Sequence, residues 1–375
     1  MALWKEKTNY ILVLIIPLLV NLLLGVEFSK GVISHIPMAV VDMDNSSVSR
    51  MIVQQFRENE PFALKYQMED EAQIKQLMDN SKIRVGMIIP KGFSDDVKSS
   101  QSPTVLMLYD GSHMSVASVA KAKASEILMT LKTGVGIKLI GAKLSVPADI
   151  AKNIALSVKF TNRTLYNPTK SFENFLNPGF GVAIVQTGIA LAAVVVANRN
   201  RFIMQKGKRL MHVMHTTLFF TVLGTAALLL SIFVQTKLFG LVFRGGLAGT
   251  VLLSVVFAAA VSSFAVMVGS ALGNVSFAIL VNAVYFIPST ILVGYTWPVI
   301  AMPQIYQNLA HTLPFYHYAD PLRDLYLKGL TFAQVLPQAL WFCEFTGVML
   351  FLIAVVVLLI PTSVNKKEDE CIAMA

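Results

Sequence analysis

Charge is scarce in this chain. Asp, Glu, Lys and Arg make up 14% of the residues and hydrophobic residues 55%, a balance that excludes an ordinary water-soluble globular protein and fits one that crosses a bilayer several times. Cysteine is scarcer: there are two, Cys343 in the last apolar run and Cys371 near the C-terminus. The long segment from Glu27 to Asn177 therefore has no disulfide to staple it, and a bacterial inner membrane is the expected home. Cys371 stands fifth from the end rather than fourth, which excludes a prenylation box. A G-x-x-x-x-G-K-S/T loop is also missing, so the chain lacks that phosphate cradle and is expected to bind no nucleotide itself.

What is present is a set of six long apolar runs, Tyr10 to Val26, Gly179 to Val196, Thr216 to Val234, Leu247 to Leu272, Val275 to Tyr295 and Val335 to Ile360. Each approaches or exceeds the roughly 20 residues that cross a bilayer. Each is expected to be helical, because hydrocarbon offers no water to satisfy backbone polar groups. The fifth is interrupted by Asn282 and Pro288. The first is followed by Gly25, Val26, Glu27 and Phe28, which is not a small-x-small cleavage site, and it reads as an uncleaved signal anchor.

The net charge of +9, from 31 Lys and Arg against 22 Asp and Glu, suggests nucleic acid until its distribution is considered. Asn198 to Met211, between the second and third runs, holds Arg199, Arg201, Lys206, Lys208 and Arg209 and no acidic residue. Short basic loops stay in the cytoplasm. That rule places the N-terminus (Lys5, Lys7) and the tail (Lys366, Lys367) inside, and Glu27 to Asn177 outside; Lys237 and Arg244 fall in an outward loop as exceptions. The expected layout is a short cytoplasmic N-terminus over 1–9, a first transmembrane helix over 10–28, an extracytoplasmic α/β domain over 29–177, a five-helix transmembrane domain over 178–360 and a cytoplasmic tail over 361–375. No nucleic-acid partner is expected.

Within the external segment, strands are predicted at Pro37 to Asp42, Phe62 to Gln67, Arg84 to Pro90 and Thr104 to Tyr109. Helices are predicted at Ser47 to Asn59, Glu69 to Ser81, Phe93 to Ser99, Ser115 to Leu139 and Pro147 to Val158. Strands alternating with helices argue for a compact α/β domain. Asp42-Met43-Asp44 after the first strand has the spacing of a haloacid-dehalogenase nucleophile loop. The remaining Lys and acidic pair of such a site are absent, and the segment reads instead as a turn in which Asp, Asn and Ser cap the next helix. It fails as an EF-hand because Ser47 stands where Gly is needed and Val53 where Glu is needed. His311 and His317 have no ligand partners in a recognisable order, so no metal site is expected.

The order of several motifs carries a family resemblance. Ile36 to Arg50 (IPMAVVDMDNSSVSR), Ile83 to Phe93 (IRVGMIIPKGF) and Val105 to Ser112 (VLMLYDGS) resemble the external domain of ABC type 2 transporter permeases, the membrane subunits of bacterial ATP-driven exporters. Leu165 to Gly179 (LYNPTKSFENFLNPG) resembles that family's return into the membrane, and Leu313 to Gly329 (LPFYHYADPLRDLYLKG) the segment before its last span. The resemblance implies a permease half that pairs with a second permease subunit, identical or paralogous. It also implies a cytoplasmic ATP-binding subunit that holds ATP and Mg, with no cofactor and no catalysis on this chain. It assigns coupling to the ATPase to the loop carrying Arg199, Arg201, Lys206, Lys208 and Arg209. That loop departs from the family pattern by being wholly basic, without a Glu-rich start. A rival class is a membrane scaffold or receptor of the phage-infection or secretion-accessory type, which begins with a similar first span.

Polar groups inside spans are costly and therefore informative. Candidate pathway residues are Glu344 in the last span, Asn282, Tyr285 and Thr290 in the fifth, Gln186 and Thr187 in the second, and Asn21 in the first. Gly245 with Gly249 and Gly269 with Gly273 are spaced for close helix approach. Trp297, Tyr306, Tyr316, Tyr318 and Trp341 suit an interfacial belt against membrane lipids.

Overall fold

A computed structural model describes residues 6–99, 101–156, 163–199 and 206–359. The chain divides into two compact units, one of Val32–Arg163 and one of Met1–Gly31 with Thr164–Ala375.

The first unit is built on a four-stranded sheet of β1 (Ile36–Asp42), β2 (Phe62–Met68), β3 (Val85–Ile89) and β4 (Leu106–Tyr109), in the order β2-β1-β3-β4. β1 runs parallel to both β2 and β3, and β4 closes the edge antiparallel to β3. Crossovers are made by α1 (Ser47–Glu58) and α2 (Glu71–Asp79), while α3 (Phe93–Lys98) follows β3, and α4 (Met114–Leu144) and α5 (Ala148–Ala155) follow β4. Central β1 is apolar from Ile36 to Val41 because both its faces are covered. Met38 and Val40 pack with Ile52, Val53 and Phe56 of α1 and with Ala120 and Ala124 of α4. Ala39 and Val41, pointing the other way, pack with Ile74 of α2. Gly86 in β3 allows this approach, since a Cβ there would lie 2.6 Å from the Ile74 methyl. α1 starts where it does because Ser46 accepts a hydrogen bond from the Ser49 amide at 3.0 Å while Ser49 Oγ accepts from the Ser46 amide at 2.9 Å, a reciprocal cap.

The second unit carries six helices long and apolar enough to cross a membrane among the described residues: Lys7–Phe28, Phe172–Arg199, Lys208–Lys237, Leu247–Ala271, Val275–Leu292 and Phe332–Leu359. They are unevenly covered. In the second, third and fourth spans 72%, 61% and 61% of the apolar stretch is buried, against 22%, 22% and 17% in the first, fifth and sixth. The inner spans form one core, with Ile189, Phe220, Phe257, Ala258 and Val261 fully buried. Close approach rests on glycine: a Cβ at Gly188 would strike the Leu12 carbonyl of the first span, and one at Gly269 would strike the Val194 carbonyl of the second. Gly245 lies against Leu325 and Gly249 against Val335.

Two spans depart from a regular α-helix, each beside a proline. The first widens to a π-turn over Ile11–Ile15 just before Pro17, whose ring nitrogen donates no hydrogen bond. The fifth is α-helical over Val275–Phe286, breaks, and resumes over Ser289–Leu292 with Pro288 between. It ends short of the expected Tyr295 because Gly294 takes a left-handed φ of +83°. The stretch to the sixth span then forms short helices, α6 (Gln304–Ala310) and α7 (Pro314–Leu327). α7 is embedded in the core through Phe315, Tyr318, Leu322, Leu325 and Tyr326. Its C-terminal carbonyl, Leu327, accepts from Arg244 Nη1 at 3.0 Å, the favourable end of the helix dipole for a cation. That contact gives Arg244 a structural role in a loop where the charge pattern alone treats it as an exception.

Candidate functional site

The first, second and fifth spans enclose a groove of about 440 Å³ lined by Val20, Leu24, Glu27, Phe28, Phe180, Ala183, Ile184, Thr187, Ile287 and Thr290. Helical geometry explains the lining. Val20, Leu24, Glu27 and Phe28 are spaced four, seven and eight apart, so they share one face, as do Phe180, Ala183, Ile184 and Thr187. Ile287 and Thr290 flank Pro288, so the fifth span presents its break to the groove. The volume falls within the range that holds a drug-sized molecule. Thr187 and Thr290, two of the sequence candidates, line it, but Thr187 Oγ1 donates to the Ala183 carbonyl at 2.8 Å and Thr290 Oγ1 to the Ile287 carbonyl at 3.0 Å. Phe28 and Phe180 stack with centroids 6.5 Å apart and planes 12° from parallel.

The other candidates lie elsewhere. Gln186 is fully buried; its Nε2 donates to Ser289 Oγ at 2.8 Å and to the Phe286 carbonyl at 3.2 Å. That carbonyl, which the Thr290 amide passes over for Ile287, also accepts from Ser289 Oγ at 2.6 Å, so Ser289 and Gln186 together satisfy the backbone opened at Pro288. Asn282 donates to the Ala278 carbonyl of its own helix at 3.1 Å. Tyr285 donates its hydroxyl to the Thr312 carbonyl at 2.9 Å and stacks on Phe264 at 4.1 Å. Glu344 is exposed on the uncovered side of the sixth span. Asn21 sits at the centre of a buried cluster: its Oδ1 accepts from Ser231 Oγ at 2.7 Å and Gln235 Nε2 at 2.8 Å, and Gln235 Oε1 accepts from the Tyr326 hydroxyl at 2.7 Å. First span, third span and α7 are thereby tied in one polar network.

The basic segment divides. Arg199 ends the second span and pairs with Glu6 at 2.9 Å. Arg201 and the Lys206 side chain lie outside the described residues, as does the tail with Lys366 and Lys367. Lys208 is exposed. Arg209 turns inward, is 2% exposed, and donates from Nη2 to the Ser270 carbonyl at 3.3 Å. Asn198 Nδ2 donates to the Gly269 and Leu272 carbonyls at 3.1 and 2.7 Å. Asn198 and Arg209 therefore cap the carbonyl end of the fourth span.

In the sheet unit, Asp42 Oδ1 accepts from the Asp44 and Asn45 amides at 3.1 and 3.0 Å, and Asp44 Oδ2 accepts from the Ser94 amide at 3.1 Å. Both aspartates thus hold turns and helix starts. Among the described residues no group of three or more His, Cys, Asp and Glu is arranged to hold a metal. His317 Nε2 donates to the His311 carbonyl at 2.9 Å and its ring stacks on Trp341 at 3.7 Å.

The sequence reading did not single out Glu27, Phe28 or Phe180. The available signal is the spacing of Val20, Leu24, Glu27 and Phe28 on one helical face, within the first transmembrane helix expected over 10–28.

Six helices among the described residues, each long and apolar enough to cross a membrane, define a multi-pass membrane protein. Residues 7–356 match the family described as ABC-2 family transporter protein, and the chain belongs to that family. The "Probable multidrug ABC transporter permease YbhR" of Escherichia coli (strain K12) is 22% identical over 336 residues, 88% of either chain. "Inner membrane transport permease YhhJ" of the same organism is 23% identical over 327 residues, 83% of this chain and 82% of that one. "Probable multidrug ABC transporter permease YbhS" is 22% identical over 263 residues, 67% and 66% of the two chains.

Proposed function

We propose that this chain is the permease half of an ATP-driven exporter, in which the groove between the first, second and fifth spans is one wall of the translocation pathway. The observation that carries the reading is the groove itself: it is drug-sized, is built from three spans, and lies where two of them, the first and fifth, are largely uncovered. ATP and Mg are bound by a separate cytoplasmic subunit and none is held here. A second permease subunit, a copy or a paralogue, supplies the facing wall. The basic segment between the second and third spans supports a cytoplasmic placement for that segment and for both termini, with the sheet unit outside the inner membrane. Binding and hydrolysis on the ATPase then shift the pair between states that the groove and the cytoplasmic segment experience differently. Family membership does not favour the scaffold or receptor alternative.

The test is efflux from cells that express the chain with its ATPase. Ile184→Trp, at a partly exposed lining position, fills the groove and is expected to abolish extrusion of a fluorescent substrate while leaving membrane insertion and ATPase co-purification intact. Undiminished extrusion by that variant would remove the groove from the pathway. For the coupling segment, Arg199, Arg201, Lys206 and Lys208 are neutralised together and Arg209 is kept, because Arg209 is buried. Loss of the co-purifying ATPase is expected.

A further inference from the structure

The groove lining has a sign. Among the described residues that line it, Glu27 carries the one formal charge, and none is Lys, Arg or His. Both threonine hydroxyls donate to carbonyls of their own helices, so towards a ligand they offer lone pairs only. Among the described residues the Glu27 carboxylate takes part in no ion pair, although Lys30 follows within one turn. It stands beside the stacked rings of Phe28 and Phe180, and an aromatic face adds attraction for a cation. A groove with apolar walls, acceptors without donors, one unpaired carboxylate and a pair of ring faces repels an anion and gains from a cation that carries apolar bulk.

Resting on the reading of this groove as the pathway, we infer that it selects amphipathic organic cations, with Glu27 as the charge-reading residue and Phe28 and Phe180 as the stacking surface. The carboxylate binds the cationic centre at the open end of the groove, and Val20, Leu24, Ala183 and Ile184 take the apolar part. Glu27 lies one residue before the end of the first span, at a depth where the carboxylate keeps part of its hydration and the cation is not fully desolvated. Binding there is consequently salt-sensitive and moderate rather than very tight.

The experiment is equilibrium binding of radiolabelled tetraphenylphosphonium to the full-length protein in uncharged dodecylmaltoside, with triphenylphosphine oxide as the uncharged comparison. Glu27→Gln is expected to weaken tetraphenylphosphonium binding at least tenfold and to leave the uncharged compound unchanged, and Ile184→Trp is expected to block both. Equal loss of both compounds in Glu27→Gln, or no loss of the cation, would overturn the inference. If Ile184→Trp still blocks binding in that case, the groove reading survives without its charge preference. Cation binding that neither variant alters would overturn both. No cation binding by the unaltered protein would overturn the inference alone, leaving the groove to the efflux test.

Discussion

Asn21 shows how much one amide carries inside an apolar span. Its Oδ1 is the common acceptor for Ser231 and Gln235, and its own Nδ2 donates to the Pro17 carbonyl at 2.8 Å. Asn21→Ala leaves Ser231 without this acceptor and Gln235 with a weaker 3.2 Å contact to the Asn177 carbonyl. Interhelical hydrogen bonds in membranes are worth on average less than stranded buried groups in water-soluble cores, so the expected cost is about 1 kcal/mol. Thermal unfolding in detergent reads it, and an unchanged midpoint would mean that the network has a replacement acceptor. Gly181→Ala is expected to do at least as much harm, because its Cβ would overlap Asn21 Oδ1 and Gln235 Nε2. In the sheet unit the informative residue is Asp110. The Ser112 hydroxyl and the Arg84 guanidinium hold its carboxyl down, from an ordinary 3.8 to about 2. A carboxyl whose folded value is depressed stabilises the fold above its unfolded value and loses that contribution as pH falls from about 4 towards 2. Protection of the β3 and β4 amides from hydrogen exchange, relative to the intrinsic rate at each pH, is therefore expected to fall over that window, and Asp110→Asn to remove this part of the pH dependence. Identical acid profiles for the two proteins would refute the assignment.

At the scale of elements, the fifth span is the part that composition and periodicity described least well. Run length alone gives a helix from Val275 to Tyr295, whereas the helix breaks at Pro288 and stops at Leu292. The Phe286 carbonyl left by the break accepts from the nearby Ser289 hydroxyl and also from Gln186, one hundred residues away in sequence, and no local pattern announces so distant a donor. Gln186→Leu is expected to destabilise the protein by about 1 kcal/mol and to disturb the groove wall at Ile287 and Thr290. The measurement is a thermal midpoint taken together with transport, and a variant normal in both would show that water or lipid replaces the amide. The other elements were more legible. The strands of the sheet unit fall within two residues of the expected bounds, because short apolar runs punctuated by Asp42-Met43-Asp44 and Lys91-Gly92 leave few alternatives. Helix α4 outran expectation, reaching Leu144 rather than Leu139, since Gly141 lowers helix propensity without ending the helix. The groove was illegible for a different reason. Val20, Leu24 and Phe180 look like any other apolar residues in a span, and only the convergence of three helices gives them a shared purpose.

Taken whole, the membrane unit is lopsided, and the lopsidedness bears on assembly. Its inner spans are covered and its first, fifth and sixth are not. The sixth packs Phe342 against Phe257 at 5.8 Å between centroids and leaves Cys343, Glu344, Val348 and Phe351 on the opposite, exposed side. Apolar residues there suit lipid. Glu344 does not, because a carboxylate in hydrocarbon costs several kcal/mol even after snorkelling and local water defects are allowed for. If the second permease subunit covers this side, Glu344 finds its polar surroundings in the assembled pair, and Glu344→Leu is expected to lower the fraction of paired permeases as well as transport. If the side faces lipid, the same substitution removes a liability, and insertion and stability improve with pairing unchanged. Native mass measurement of the complex carrying this chain and its ATPase separates the two. A paired fraction that survives Glu344→Leu would assign pairing to the first and fifth spans, bringing the grooves of the two subunits towards each other. A fraction that falls would place the sixth span between subunits and leave the groove of each opening away from its partner.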